Sequence, residues 1–562
     1  VDALPYLVDY PYGCTEQTLN RFLPTVITQK VLLSMNLDLK DIEKKRTNLN
    51  AQEIGDDQKR AADWKRNNPP NPNVKERNPV FDIDTVVKMA KDGVEKLTNM
   101  QNGDGGWGWF SGFGEQSYPH TTAVVVHGLQ IAKENDVALV PGMLERGVDW
   151  LKRYQAEQVS RIKNAAAKVR PWKDHADDLD AMVYMVLTDA KVKSDDMKEM
   201  NAFLYRDRIS IGVYAKAMYG LALFQQKDKE KLDMILQNIS QFLVQDNEDQ
   251  TAYLKLPENN YWWAWYGSDT EAMAYYLKLM SKTDPKGAVA SRMSKYLINN
   301  RKHASYWNST RDTALVIEAL ADFIKASGES KPDMTLAISL DGRKVKEVKI
   351  TADNFFSFDN KLVLLGDAVA TGAHKIEFTR TGSGSLYFNA YVTNFTLENP
   401  IKKAGLEIKV QRKFYKIVEV KKQVKVSGSL GQVLSERVEK YERQPLIEGA
   451  TLKSGDLVEV EMEIDSKNDY EYILFEDMKA SGFEPVELRS GYNGNDLNAY
   501  MELHDERVCF FSRALARGKH SVSYRLRAEI PGKFSALPTK ASAMYAPELK
   551  ANSDENKLQI VD

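Results

Sequence analysis

Cysteine is almost missing from this chain, with only Cys14 and Cys509 among 562 residues. Two cysteines build no disulfide framework and fix no redox compartment. They are expected in different domains and unpaired, with Cys509 in Arg507-Val508-Cys509-Phe510-Phe511 reading as inert packing on a strand. Histidine is scarce as well, and its seven residues are dispersed, so no metal constellation emerges. No run of about 18 apolar residues occurs, which excludes a membrane-spanning helix of the usual kind. A net charge of -2 offers no broad field for nucleic acid or a membrane surface. Gly103 to Gly108 lacks the Lys-Ser/Thr of a phosphate loop, and no cofactor is implied. There is no secretory leader and Val1 stands first, so the chain is expected to be a piece of something longer.

What is present is a sequence of two textures. Residues 1–327 carry helical periodicity, as in Val124-Val125-Val126-His127-Gly128-Leu129-Gln130-Ile131, Ala181–Leu187 and Ala314–Leu320. A unit recurs in this half: a Gly- or Trp-rich turn, a short polar cap, then an Ala-containing helix. Gly103–Trp109 leads to Thr121-Thr122-Ala123, Tyr261–Trp265 to Asp269–Ala272, and Tyr306–Thr310 to Asp312-Thr313-Ala314. Trp172 before Asp180-Ala181 and Ile209–Gly212 before Tyr214-Ala215 are weaker copies. The polar residue caps exposed helix amides, and small Ala lets helices pack closely. One helical hairpin cannot bury its apolar face alone, so such repeats stack or close into a ring. The expectation is an α/α toroid whose inner helices begin at the Thr-Ala positions and whose tryptophans clasp neighbouring hairpins. A polar stretch at about 44–80, with Asn67-Asn68-Pro69-Pro70-Asn71-Pro72-Asn73, breaks the pattern as a surface insertion.

From residue 328 the period changes to two. Thr335–Leu340 runs into the turn pair Asp341-Gly342, and Leu406-Glu407-Ile408-Lys409-Val410 alternates, as do Leu457–Ile464 and His520–Arg527. These read as half-buried antiparallel strands in β-sandwich domains. Residues 328–398 form a first β-module and 399–562 a second, divided near Asn399-Pro400.

The stretch that carries chemistry is Tyr10-Pro11-Tyr12-Gly13-Cys14-Thr15-Glu16-Gln17-Thr18. If a helix begins near Cys14, residues i and i+3 share a face, and the thiol meets the carboxamide of Gln17. Attack by sulfur with loss of ammonia would leave an internal thioester. Glu16 points well away from both on a helix and receives no chemical role. Cys-x-x-Gln alone is a weak signal, and a lone buried cysteine is its plain reading.

The longer stretch, with Asn20, Arg21 and Pro24, resembles the thioester signature of the bacterial branch of the alpha-2-macroglobulin and complement family. The complement branch usually has Gly where Thr15 stands. Leu452–Val460, Gly482–Val486 and Met544–Glu548 resemble that family's final macroglobulin-type domain. The resemblance implies a covalent protease trap, used once and not an enzyme in the turnover sense. Proteases and the upstream macroglobulin domains of a parent chain are the implied partners, in the periplasm or cell envelope. It also implies that 328–398 is the second segment of a CUB-like domain, and that aromatic neighbours such as Tyr6, Tyr10 and Tyr12 shield the bond; ordinary packing is the competing account. Complement members pass the acyl group through a toroid histidine. His120 and His175 are the candidates here, with capping or solvent-exposed roles as the alternative, so direct attack by amines is expected.

Two other classes share part of the pattern. Gln101–Trp107 resembles the aromatic turn of terpene cyclases, and Asp174-His175-Ala176-Asp177-Asp178-Leu179-Asp180 superficially resembles their acid motif, though its spacing differs. A non-reactive adhesion or scaffold module is the third reading.

Overall fold

The structure is a computed structural model that describes residues 1–10, 12–45, 78–112, 114–256, 268–301, 306–355, 357–388, 390–392, 400–427, 433–487, 489–544 and 546–562. Most of the expected insertion at 44–80 and the Tyr261–Trp265 turn lie outside them. The described residues fall into two compact units, the first within residues 1–298 and 305–389 and the second made of 299–301 and 390–562.

The first unit opens with thirteen described helices. They are α1 (Leu4–Val8), α2 (Thr15–Ser34), α3 (Leu39–Lys45), α4 (Ile83–Met100), α5 (Pro119–Glu134), α6 (Met143–Asn164), α7 (Asp178–Asp189), α8 (Asp195–Arg206), α9 (Val213–Gln226), α10 (Lys229–Ser240), α11 (Asp269–Thr283), α12 (Ala288–Asn299) and α13 (Thr310–Ser327). Six of them pack in a closed circuit: α2 on α5, α5 on α7, α7 on α9, α9 on α11, α11 on α13, and α13 back on α2. This is the expected toroid. Neighbouring starts meet one another, as where Ser268 Oγ before α11 donates to Asp312 Oδ1 of α13 at 2.7 Å and Gly212 N–H before α9 donates to Asp178 Oδ1 of α7 at 2.6 Å, so the two helices of each of these pairs run the same way. Outside the circuit, α4 covers α2, α6 covers α5 and α7, and α10 covers α9.

Composition separates the two rings. In α11 every residue from Thr270 to Ser281 is buried, as suits a helix enclosed on all sides. Outer α4 buries only Val86, Ala90, Gly93, Val94, Leu97 and Met100, a single stripe. Side-chain caps start both kinds, with Asp82, Asp177, Ser194, Asp228, Ser268 and Ser309 each accepting a backbone N–H one turn on. Gly128 of α5 marks the closest approach to α2, because a Cβ there would meet Leu19 Cδ2 at 2.5 Å.

The tryptophan clasp is built twice in the same way. Trp107 and Trp307 are buried, and each donates Nε1–H at 2.8 Å to the carbonyl ten residues back, of Leu97 and Leu297 respectively. Their backbone N–H groups donate to Thr122 Oγ1 at 2.9 Å and Thr313 Oγ1 at 3.0 Å. The Thr-Ala positions therefore lie inside the first turn of α5 and α13 rather than at their first residue. Trp172 makes no such clasp and is exposed.

After α13 the first unit continues as a three-stranded antiparallel sheet, with Asp333–Leu340 between Arg343–Thr351 and Ile376–Ser383. Asp341 and Gly342 turn it with φ of 51° and 80°. The second unit is a sandwich around one core. One sheet orders Phe483–Pro485, Gly518–Ala528, Leu457–Ser466, Ile408–Ser427 and Val433–Leu446. The facing sheet centres on Tyr470–Met478 and Arg507–Leu515. Val458, Val460, Met462 and Ile464 point into the core; of the alternating glutamates, Glu461 and Glu463 are half-buried and Glu459 is buried beneath Arg443 and Arg525. Leu406 was expected to share the apolar face of Ile408 and Val410. It lies before the strand instead, where the pleat does not govern it, and it is exposed.

One inward position is not apolar. Arg412 and Asp477 come from the two facing sheets, both 1% exposed, and pair at 2.7 Å. The guanidinium also donates to the carbonyls of Ala536 (2.7 Å), Leu537 (2.8 Å) and Met478 (3.2 Å). Asp477 accepts from Thr539 Oγ1 at 2.6 Å and Tyr524 OH at 2.5 Å. Cys509 is buried and unpaired on the strand predicted for it.

Candidate functional site

Helix α2 starts at Cys14, whose extended backbone (φ -66°, ψ 170°) makes it the N-cap. Ser, Thr, Asp or Asn normally supplies an oxygen there. Here the cap atom is sulfur. Cys14 and Gln17 form a reciprocal box: the Gln17 N–H points at the Cys14 sulfur, and the Cys14 N–H donates to Gln17 Oε1 at 3.2 Å. The two residues three apart thus cap one another through their backbone N–H groups. The box aims the Gln17 N–H at the sulfur and the Cys14 N–H at the carboxamide oxygen, where a donor polarises a carbonyl toward a nucleophile. Burial pushes the Cys14 thiol above its ordinary pKa, while the backbone N–H groups of Gln17 and Glu16 pull it the other way. The thiol is therefore protonated at neutral pH, with donors aimed at the charge it would carry as a leaving group.

The next residue is tied to a distant turn. Thr15 is 0% exposed; its N–H donates to Trp109 O at 2.9 Å and its hydroxyl to Gly108 O at 2.7 Å. On the other side, Arg21 Nη2 donates to Tyr10 O at 2.6 Å and Tyr12 O at 3.1 Å, fixing the chain that leads in. Tyr6 stacks on Tyr306 at 4.0 Å, Tyr10 meets both Tyr6 and Tyr12 edge-on, and Tyr12 is 68% exposed. Within this chain Tyr12 stands in solvent and Cys14 is only half-buried.

Glu16 points inward to a charged group that sequence reasoning did not find. Burial raises its pKa, the Arg311 guanidinium opposes that, and Glu271 and Asp312 add to it. Arg311 itself pairs with buried Glu271 of α11. The only sign in the sequence was a charged pair, Arg311-Asp312, at the start of an otherwise apolar helix. His120, the second residue of α5, belongs to the same rim. It is 7% exposed, and burial, helped by Arg311, pushes its pKa down to about 3. His175 is exposed in the loop entering α7, one inner helix further round from α2 than α5. The structure thus brings His120, and not His175, to the helix adjoining α2.

The acidic stretch 174–180 is occupied structurally. Asp177 caps α7, Asp178 Oδ1 accepts from Gly212 N–H at 2.6 Å, and Asp180 accepts from Lys173 Nζ at 2.6 Å. Among the described residues no group of three or more His, Cys, Asp or Glu could hold a metal, and no helix is long and apolar enough to cross a membrane.

Two family models match, that of the A-macroglobulin TED domain over residues 73–323 and that of the Bacterial Alpha-2-macroglobulin MG10 domain over residues 408–548. The chain belongs to the bacterial alpha-2-macroglobulin family. The Cys14–Gln17 turn lies ahead of the matched TED segment, on the ring helix that closes it. The chain is 23% identical over 489 residues to an alpha-2-macroglobulin homolog of Nostoc sp., covering 84% of this chain and 24% of that protein. It is 22% identical over 330 residues to alpha-2-macroglobulin of Thermotoga maritima, covering 57% and 14%. It therefore spans a quarter or less of the curated alpha-2-macroglobulins it matches. Among solved structures, Salmonella alpha-2-macroglobulin reacted with methylamine aligns with a TM-score of 0.38 at 17% identity, over 100% of this chain and 30% of that one.

Proposed function

We propose that this chain is the thioester-bearing and C-terminal part of a bacterial alpha-2-macroglobulin that captures proteases covalently. The observation that carries the reading is the reciprocal pairing of Cys14 and Gln17 at the start of a ring helix. In forming the bond, Cys14 Sγ adds to the Gln17 amide carbon, the C–N bond breaks, and the thiol proton leaves with ammonia. In capture, a lysine amine of the protease adds to the same carbon and the C–S bond breaks. The amine proton passes to Cys14, which is again a thiol, and an amide joins Gln17 to the target. Each chain reacts once, so it acts as a trap and not as a turnover catalyst. Amines attack directly, because His120 is buried and neutral while His175 is distant.

In this reading residues 1–327 are the thioester domain, 328–398 the second segment of a CUB-like domain, and 399–562 the final macroglobulin-type domain. Upstream macroglobulin domains of the parent shield the bond, which the half-buried Cys14 and exposed Tyr12 of this chain leave open to water. The parent works in the periplasm or cell envelope.

The test is the intact mass of the native chain before and after methylamine, with thiol titration alongside. The expected result is a chain one ammonia lighter than its sequence, which gains one methylamine and releases one thiol. Cys14→Ala abolishes both changes. An unmodified Gln17 with a free Cys14 in freshly folded protein sinks the reading.

A further inference from the structure

We propose that Thr15 is a positioning residue, whose hydroxyl holds Cys14 and Gln17 in register for bond formation by tying the first turn of α2 to the Gly108–Trp109 turn. This rests on the thioester reading above and deepens it. The box alone is a weak latch: its Cys14 N–H to Gln17 Oε1 bond is 3.2 Å long, and helix ends fray. Thr15 sits between the two reactive residues and sends every donor it has to a turn more than 90 residues away. The N–H goes to Trp109 O at 2.9 Å, and the hydroxyl to Gly108 O at 2.7 Å and Trp109 O at 3.1 Å. The first helical N–H, which has no partner inside a helix, is thereby satisfied from outside.

The receiving turn is itself fixed. Trp107 is buried and clasped to Leu97, Trp107 O accepts from Tyr118 N–H at 2.9 Å, and Glu115 Oε1 accepts from Trp109 N–H at 2.6 Å. Gly108 leaves no room for a side chain, since a Cβ there would lie 2.6 Å from the backbone carbonyl oxygen of Gln116. The Thr15 hydroxyl is the group that reaches Gly108 O, and it adds a second bond to Trp109 O. Holding two reacting groups at near-attack distance carries much of an acyl transfer, and a misplacement of about 1 Å slows such steps by about a hundredfold. The complement-type Gly at this position would keep the N–H bond to Trp109 O and lose the hydroxyl anchor.

The experiment compares Thr15→Val, which keeps shape and loses the hydroxyl, with Thr15→Ser, which keeps the hydroxyl. The full chain is refolded, and at timed intervals the peptide spanning Cys14–Gln17 is weighed. A chain that formed the bond is recorded either as one ammonia lighter or, after hydrolysis, as carrying glutamate at position 17. Thr15→Ser is expected within about twofold of the parent rate, and Thr15→Val slower by about tenfold or more, in protein with native near-UV circular dichroism. Equal rates in Thr15→Val and the parent overturn the proposal, and so does equal slowing in both variants. If Thr15→Val does not fold, Glu115→Ala takes its place at a half-buried surface position, and an unchanged rate there overturns it. A parent chain that keeps glutamine at 17 throughout defeats the thioester reading itself, a result distinct from all of these.

Discussion

Replacing Arg412 by Met removes a cation from between two sheets while keeping most of its volume. Arg412 and Asp477 are each 1% exposed, so no water replaces the lost partner. Asp477 would keep only the hydroxyls of Thr539 and Tyr524, and the carbonyls of Ala536 and Leu537 would lose their donor. Breaking a buried pair from one side typically costs about 3–5 kcal/mol. For a unit of this size each kcal/mol lowers the melting midpoint by about 2–4 °C, so the second unit should melt on the order of 10 °C lower. The assay is calorimetry of the full chain, with the two units resolved as separate transitions. Asp477→Asn should cost less, because the guanidinium retains its carbonyl acceptors. The double variant Arg412→Met/Asp477→Asn should fall short of the summed single losses by more than about 1 kcal/mol. A loss below about 1 kcal/mol for Arg412→Met, or strict additivity, would show that the pair is not the keystone of the sandwich.

In the toroid, Lys278 pairs with Glu318 and lies 2.8 Å from Asp322, with His127 Nε2 3.3 Å from Glu318 Oε1. Lys278→Met strands those carboxylates, so the first unit should lose about 3–5 kcal/mol in denaturant titration; a loss near zero would mean solvent reaches the network. His120 has a folded pKa of about 3 against an ordinary 6.5, so only the unfolded chain takes up its proton between those values. Stability should therefore fall as pH drops below about 6.5, by about 2 kcal/mol between pH 7 and 5, and His120→Gln should remove that increment. Parallel pH curves for the two proteins would refute it. Trp307→Phe deletes the Nε1–H bond to Leu297 O and should cost about 1–3 kcal/mol, read as a lower midpoint for the first unit, whereas Trp172→Phe should leave it unchanged.

Local features of the chain were legible from sequence because they follow from local chemistry. The helices around Val124, Ala181 and Ala314, the Asp341-Gly342 turn and the sulfur–carboxamide spacing all depend on neighbours within one turn or one hairpin. The repeat of aromatic turns went further and pointed to a ring, since a recurring unit implies stacking. What escaped was long-range. Thr15 is anchored 94 residues away, Lys278 meets Glu318 40 residues on, and Arg412 meets Asp477 65 residues on. Nothing in a single sequence distinguishes an inward Arg412 from an outward one except its parity with Val410 and Phe414. Trp172 misled for a related reason: it has the composition of a clasp, but the helix after it spends its early polar residues on Lys173 and Gly212.

The ring has a seam. Its circuit is completed where α13, the last helix of the toroid, meets α2, the first. Every other neighbouring pair of inner helices is joined by chain, but here the staves are held only by side chains. The Cys14–Gln17 turn begins the stave on one side of that join, and Arg311 begins the stave on the other. A pull on the chain entering α1 or leaving α13 is thus delivered to the one joint without a covalent hinge, beside Cys14. The one join of the ring without a connecting chain and the Cys14–Gln17 pair therefore lie at the same place.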